Sequence, residues 1–260
     1  MGLQSAISNR NELMERDTMT TKKLYLETIE AAYLDEFSAE VIAIEDNKII
    51  LDQTLFYPLG GGQNWDLGTL NGPNGEMNVI EVRGRDAIHH TTEDTFELEV
   101  GDEVTGRIDF ERRYAHMKMH TAQHLVSGIA YEMFDGVRTV GNQINTDKSR
   151  IDFKPIQFLE EMLADLQSLV NEKIQLGLEV TDTQMTRDEI NSIMPQERTN
   201  MDLLPSFIED LRVVTIGDQE DLCPCAGTHV RNISEIKGIE FIGKKSKGKG
   251  TQRITYQLTE

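Results

Sequence analysis

Apolar and polar positions change period once along this chain of 260 residues. From about residue 23 to 108 the apolar residues come in short, strand-length runs. Val41-Ile-Ala-Ile44, Glu45-Asp-Asn47 and Lys48-Ile-Ile-Leu51 predict a hairpin, and further runs follow at Met77 to Val82 and Val104 to Ile108. Gly60, Gly61, Gly62, Gly68, Gly72 and Gly75 place tight turns and close backbone approaches among these strands, so the stretch predicts a small, glycine-rich antiparallel β-barrel. After Asp109 the period turns helical. A helix is expected from about Glu111 to Phe134 and a second from about Gln157 to Ile174. In the second, Leu159, Met162, Leu163, Leu166, Leu169, Val170 and Ile174 repeat at helical spacing, and Gly177 follows as a stop. Thr186 and Glu189 form a capping box that opens a short helix ending at Pro195. Leu211 to Ile216, Gly238 to Ile242 and Gln252 to Leu258 read as strands. The fold class is therefore α+β in three parts. Residues 1–22, polar and without a sustained period, read as a flexible extension; residues 23–108 form the barrel; residues 109–260 form a two-layer α/β sandwich.

Charge changes this picture locally. With 45 acidic and 26 basic side chains the chain carries a formal charge of −19, which argues against indiscriminate nucleic-acid binding. Yet Arg231 to Arg253 holds seven basic residues against Glu235 and Glu240. Its centre, with Lys244, Lys245, Lys247 and Lys249 between glycines, reads as a phosphate-contacting loop; the plainer reading is a solvated hairpin turn. No apolar run approaches the ~18 residues of a spanning helix, and the first residues lack the apolar stretch of a signal peptide, so secretion and membrane insertion are not expected. Cys223 and Cys225, one residue apart, make no disulfide framework and suit a reducing cytoplasm.

The sharpest chemistry lies in His120-Thr-Ala-Gln-His124 and Cys225-Ala-Gly-Thr-His229. Four residues is just over one helical turn, so both imidazoles of the first pair leave one helix face. Pro224 and Gly227 favour a bent backbone that turns the second pair inward together. The set His120, His124, Cys225 and His229 offers borderline-soft nitrogen and sulfur donors that suit one zinc ion rather than magnesium or calcium. Taken singly, the histidines would be satisfied core residues and Cys225 a small buried hydrophobe. Cys223 is a substitute ligand. Thr121 stands where a zincin would carry its general-base Glu, and Gln123 cannot take up a proton either, so that protease class is excluded. No P-loop, G-x-S-x-G elbow or dinucleotide fingerprint occurs. His116, one turn before His120, is the remaining candidate base.

These residues resemble the editing domain of alanyl-tRNA synthetases and, more closely, its freestanding relatives, the AlaX trans-editing proteins. The likeness runs from about Leu24 onward. It is carried by Phe56-Tyr-Pro-Leu-Gly-Gly-Gly-Gln63 with Asp66 and Gly68, by Met119-His-Thr-Ala-Gln-His-Leu125, by Cys225-Ala-Gly-Thr-His-Val230, and by Ser246-Lys-Gly-Lys-Gly250 before a final strand. Ala226 stands where the family usually has glycine, and Gln123 where it often has threonine.

The resemblance implies hydrolysis of the ester in tRNA(Ala) wrongly charged with serine, and with glycine, by an AlaX protein of the longer kind; no adenylation domain fits in this length. A hydrophobic pocket rejects hydroxylated analogues poorly, so a second sieve must read the serine hydroxyl. Thr121 and Gln63 are the expected partners of that hydroxyl. Gly60, Gly61, Gly62, Arg112, Arg113 and the four lysines of the basic loop are expected to contact substrate and tRNA. Four protein ligands describe a closed zinc site, which favours positioning of the aminoacyl end, with water activated by the substrate's own ribose hydroxyl. The alternatives are a zinc-stabilised tRNA-binding module without hydrolytic activity and a metallohydrolase acting on small esters.

Overall fold

The computed structural model describes residues 19–93, 97–195, 198, 201, 204 and 208–259. The extension expected at 1–22 therefore lies, up to residue 18, outside the described residues. Packing divides the rest into two compact units. The first holds residues 19–24, Leu34–Pro58 and Trp65–Asp109; the second holds Tyr25–Tyr33, Leu59–Asn64 and the chain from Phe110 onward.

The first unit is built from β1 (Lys22–Lys23), β2 (Glu36–Glu45), β3 (Lys48–Leu51), β4 (Gln53–Thr54), β5 (Gly68–Gly72), β6 (Gly75–Gly84), β7 (Ile88–Thr92) and β8 (Glu103–Ile108). Six of these close a barrel in the order β2-β3-β7-β6-β5-β8. Strand β2 alternates as a half-buried strand must, with Phe37, Ala39 and Val41 inside and Glu36, Ser38 and Glu40 outside. Gly106 is required by this core, because a Cβ there would lie 2.3 Å from the Phe37 ring. His90 is buried among these strands, bonded to Thr54 Oγ1 at 2.8 Å and to the Ile49 carbonyl at 3.0 Å. Burial lowers its pKa to about 4, so it is neutral, a packing residue.

The second unit contains α1 (Phe110–Met133), β9 (Arg138–Gln143), β10 (Ser149–Lys154), α2 (Glu160–Gln175), β11 (Val180–Thr186), α3 (Arg187–Ile193), β12 (Asp210–Ile216), β13 (Asp221–Pro224), β14 (Gly238–Gly248) and β15 (Thr251–Thr259). Its strands form a four-stranded sheet, β14-β15-β10-β9, and a three-stranded sheet, β11-β12-β13. Ile151, Phe153, Ile254 and Tyr256 on one face of the larger sheet pack with Leu125, Val126 and Ile129 of α1 and Leu163, Leu166, Val170 and Ile174 of α2. Removing this apolar surface from water, at roughly 25 cal/mol per Å², is the main term holding the two layers together. The α+β architecture of barrel and layered helices and sheets is the one the hydrophobic pattern predicts.

One difference from the sequence reading has a physical cause. Strand β14 runs to Gly248 rather than stopping near Ile242, because its ladder with β15 continues through bulges at Phe241/Gly243 and Ser246/Gly248. Most of the lysine-rich run is thus strand rather than loop. Strand β14 is also an outer strand, and α2 covers its free edge with polar side chains on one helix face. Asn171 accepts from the Ile239 N–H at 2.8 Å and donates to the Ile239 carbonyl at 3.0 Å, Gln167 accepts from the Phe241 N–H, and Gln175 donates to the Lys237 carbonyl. These bonds satisfy backbone groups that would otherwise template another strand. Among the described residues no helix is long and apolar enough to cross a membrane.

Helix α1 meets the turn before β13 at Gly128, where a Cβ would lie 2.2 Å from the Glu220 carbonyl oxygen. Gly128→Ala gains up to about 1 kcal/mol of helix propensity. It also forces a backbone shift costing about 1–3 kcal/mol. A net loss of stability is expected in urea unfolding; a stabilised variant would show that the turn does not rest on the helix.

Candidate metal centre

Helix α1 presents His120 and His124 one turn apart, and the turn after β13 presents Cys225 and His229. One ligand atom from each of the four lies within 4.8 Å of the others. The three histidines are almost wholly buried, and Cys225 is half-buried. The Cys225 sulfur sits 3.3 Å from His229 Nε2 and 3.7 Å from His120 Nε2.

Each imidazole is held from behind by a different partner. His120 Nδ1 donates to Gln63 Oε1 at 2.8 Å, His124 Nδ1 to Asp221 Oδ2 at 2.7 Å, and His229 Nδ1 to Thr121 Oγ1 at 3.1 Å. Placing the proton on Nδ1 leaves each Nε2 lone pair for a metal, the usual arrangement behind ligating histidines. Electrostatics agree. Burial alone would push the Cys225 thiol up, yet His120, His229 and His124 around it bring it well below its ordinary value, toward the thiolate a metal needs. Burial pulls His124 down, but the Cys225 sulfur and Asp221 outweigh it and push this imidazole up to about 10.

Local sequence explains why these groups can meet. Gly61 and Gly62 adopt positive φ (56° and 88°), and a Cβ on Gly62 would overlap the Asn142 side chain at 1.7 Å. Only glycine lets the 60–63 hairpin lie against β9, with the Ile144 N–H donating to the Gly62 carbonyl at 2.7 Å. That seat delivers Gln63 to His120. Gly227 faces the same ring from the other side: a Cβ there would come 2.2 Å from His120 Cε1. Arg212, clamped by Asp182 at 2.8 Å, donates to the Cys225 and Gly227 carbonyls at 2.9 and 3.1 Å and so sets the bend of the ligand turn.

The structure redirects several residues singled out from sequence. The Thr121 hydroxyl is not free to meet a serine side chain: it donates to the Met117 carbonyl and accepts from Val230 N–H and His229 Nδ1. Two acceptor sites and one donor are all a hydroxyl has. Gln63 is likewise occupied, accepting from His120 and the Thr228 N–H and donating to Thr228 Oγ1. Both are completely buried and act on the imidazoles rather than in a pocket wall. Arg113 is also completely buried, donating to the Ala32 carbonyl at 3.0 Å, which removes it from phosphate contact; Arg112 is half-buried. Lys244 is exposed, as are Lys245, Lys247 and Lys249, but it pairs with Glu160 at 2.6 Å and donates to the Phe158 carbonyl. Gly60 and Gly62 are half-buried and Gly61 is exposed. His116 is buried with neither ring nitrogen bonded among the described residues. Burial, then Arg112, Arg113 and His120, lower it to about 3, too weak for a general base near neutrality. Burial and the nearby Asp221 and Cys225 charges push the Cys223 thiol well up, and its sulfur stands outside the four-ligand group. Sequence reading missed Asp221 and Arg212. Nothing in the local pattern separates Asp221 from Asp218 or Glu220, although Arg212 as a lone cation inside an apolar strand was a usable signal.

Thr121→Val and Asp221→Leu each remove one rear acceptor without removing a ligand. Each should weaken metal affinity about 10- to 100-fold in competition with a chelator. Unchanged affinity in both would mean that the rear bonds do not orient the rings. The Cys225 thiol is pushed down and the His124 imidazole up to about 10 by their mutual attraction, so the metal-free pair keeps a proton that a bound metal displaces; metal uptake at pH 7 should release about one proton, measurable by titration in two buffers of different ionisation enthalpy.

Residues 3–112 match the family model of class II (A) tRNA synthetases, and residues 211–255 match that of the threonyl and alanyl tRNA synthetase second additional domain. An alanyl-tRNA editing protein AlaX-M from Methanosarcina barkeri is 35% identical over 88% of this chain and 96% of its own. One from Saccharolobus solfataricus is 35% identical over 92% of this chain and 99% of its own. An alanine–tRNA ligase from Methanococcus vannielii is 30% identical over 95% of this chain, a match that covers only 27% of the ligase. Similarity along nearly the full length of both partners, rather than at the ligand motifs alone, places this chain in the AlaX-M family of alanyl-tRNA editing proteins.

Proposed function

We propose that this protein is a trans-acting hydrolase that removes serine, and glycine, from wrongly charged tRNA(Ala) in the cytoplasm, using one zinc ion per chain. The observation that carries the proposal is the buried cluster of three rear-bonded imidazoles and one thiolate in a chain of the editing family. The donor set fits zinc. A tetrahedron with Zn–N near 2.05 Å and Zn–S near 2.3 Å has N···S edges of about 3.6 Å, and the two distances from Cys225 Sγ to His229 and His120 Nε2, 3.3 and 3.7 Å, bracket that value.

His120, His124, Cys225 and His229 would hold the ion, and Gln63, Asp221 and Thr121 would keep the three rings aimed at it. When bound, zinc supplies a fixed positive charge that anchors the aminoacyl end. Cys225, half-buried where the other ligands are covered, marks the side from which the ester arrives. Gly60, Gly61 and Gly62 leave that approach without side chains beyond the backbone, giving room for the terminal nucleotide, and Lys245, Lys247 and Lys249 contribute charge toward the tRNA. With His116 held neutral by burial and Asp221 committed to His124, the attacking water passes its proton to the substrate's neighbouring ribose hydroxyl, which gives its own to the leaving ribose oxygen as the ester bond breaks. A second reading has one observation in its favour: four protein ligands describe a closed site, as in a zinc-stabilised tRNA-binding module without hydrolysis.

The test is deacylation of purified Ser-tRNA(Ala), Gly-tRNA(Ala) and Ala-tRNA(Ala) by the zinc-loaded protein. Serine and glycine should be released at least about tenfold faster than alanine, and His124→Ala and Cys225→Ala should lose both zinc and activity. Tight binding of all three tRNAs with release at the spontaneous rate would establish the binding module instead.

A further inference from the structure

We infer that the outer face of the four-stranded sheet, turned away from α1 and α2, is the track on which the phosphodiester backbone of a double-helical tRNA stem lies. The inference rests on the tRNA-directed reading above and assigns it a surface that the basic loop alone does not describe.

Strand register puts the relevant side chains on one face. Across the sheet, Lys245 stands opposite Arg253, Arg253 opposite Asp152, and Asp152 opposite Gly141; the next rank is Gly243, Thr255, Arg150 and Gln143. Lys154 stands opposite Arg138, two residues along β10 from Asp152 and so on the same side. Lys247 acts electrostatically on Asp152, as does Arg150. The alternate residues, Ile151, Phe153, Ile254 and Tyr256, are the ones buried against the helices. Lys244, opposite Ile254, belongs to that covered side, where it pairs with Glu160. The face therefore gathers Arg138, Arg150, Lys154, Lys245, Lys247 and Arg253 from all four strands.

Asp152 faces these six cations, with Glu240 further along β14 beside Gln257. Asp152 does not simply cancel charge: it clamps the Arg253 guanidinium through two bonds, at 2.6 and 2.7 Å, and fixes its plane. In a chain of net charge −19 such a concentration of cations is not needed for solubility. Between them lie Thr255, Gln143, Gln257 and Gly141, small or polar; the large apolar side chains exposed on these strands are Val140 and Ile242, one at a bulge of each outer strand. Two aliphatic side chains on opposite edge strands, with no aromatic one at the paired positions, do not make the clustered anchor of a protein interface or a membrane-inserted surface. It suits a duplex RNA, which is read through its backbone and 2′-hydroxyls rather than its bases. Three inter-strand spacings make the face about 14 Å wide. The platform is tied to the metal helix, since the Tyr256 hydroxyl donates at 2.7 Å to the carbonyl of Met119, the residue before His120. A stem seated on the outer face is thereby held at a set distance from the metal centre.

The experiment uses the full zinc-loaded chain and a variant carrying Arg138→Gln, Arg150→Gln, Lys154→Gln and Lys247→Gln, which spares the Asp152–Arg253 clamp. Binding of uncharged tRNA is measured between 50 and 200 mM salt as about the useful range. The variant should bind at least about tenfold more weakly, and its plot of log affinity against log salt should be shallower by about 3.6, roughly 0.9 for each of four lost phosphate contacts on a duplex. Zinc content and the melting midpoint report that the variant is folded, and a charge-preserving companion, Arg150→Lys with Lys154→Arg, should bind as the parent does. Wild-type affinity and slope in the glutamine variant would overturn the inference. Weakened binding by the companion to the same degree as the glutamine variant would also overturn it, since charge would then not be the cause. The enzymatic reading fails separately: a parent protein that binds tRNA with a steep salt slope but never deacylates Ser-tRNA(Ala) refutes hydrolysis and leaves the track standing.

Discussion

Three imidazoles and a thiol can share one buried volume only if every Nδ1 is given an acceptor outside it, and the rest of the second unit is arranged around that constraint. A buried ring nitrogen without a partner costs on the order of 1–3 kcal/mol. A ring free to rotate would also present a proton where a lone pair is required. Gln63, Asp221 and Thr121 meet the need once each, for His120, His124 and His229. Each comes from a different element, so no single segment contains the site.

This dispersal explains which backbone positions tolerate no side chain. Gly62 lets a hairpin distant in sequence rest on Asn142 and bring in Gln63, Gly128 lets the turn before β13 close on α1 and bring in Asp221, and Gly227 lets the ligand turn close on His120. Thr121 needs no such device, because it is already on α1 between the two histidines. Its hydroxyl, back-bonded to Met117, would be a mildly unfavourable feature in an isolated helix. Here the same oxygen closes a link from α1 to both His229 and Val230. Arg212 plays the matching part in the sheet, converting its pairing with Asp182 into a fixed bend of the Cys225 turn.

The larger sheet separates two chemistries by strand alternation alone. Its covered face is apolar and ends in the Tyr256 hydroxyl on the metal helix, while its outer face collects cations from four strands. Such separation lets an acidic protein engage a polyanion locally while its overall field still opposes indiscriminate association. The polar cover that α2 gives the first residues of β14 serves the same economy, closing that stretch of the sheet edge to another strand.

By itself the sequence determined the α+β class, both long helices, the capping box at Thr186 and the four metal-ligand residues. Each of these is local: helical spacing puts His120 and His124 on one side, and a bent five-residue turn suffices for Cys225 and His229. It also marked Gly60 to Gln63 as unusual, since so dense a run of glycines has a backbone cause. Only the tertiary structure decided what Gln63 and Thr121 do, because a hydrogen bond between residues 57 or 108 positions apart leaves no trace in periodicity. The same holds for Asp221, indistinguishable in the chain from its acidic neighbours until β13 pairs with β12, for the burial of Arg113 and for the pairing of Lys244 with Glu160. Register decided the rest: Arg138, Arg150 and Lys154 look like scattered surface charges in sequence, and antiparallel pairing alone brings them beside Lys245 and Arg253, since every strand sends alternate side chains to the same face.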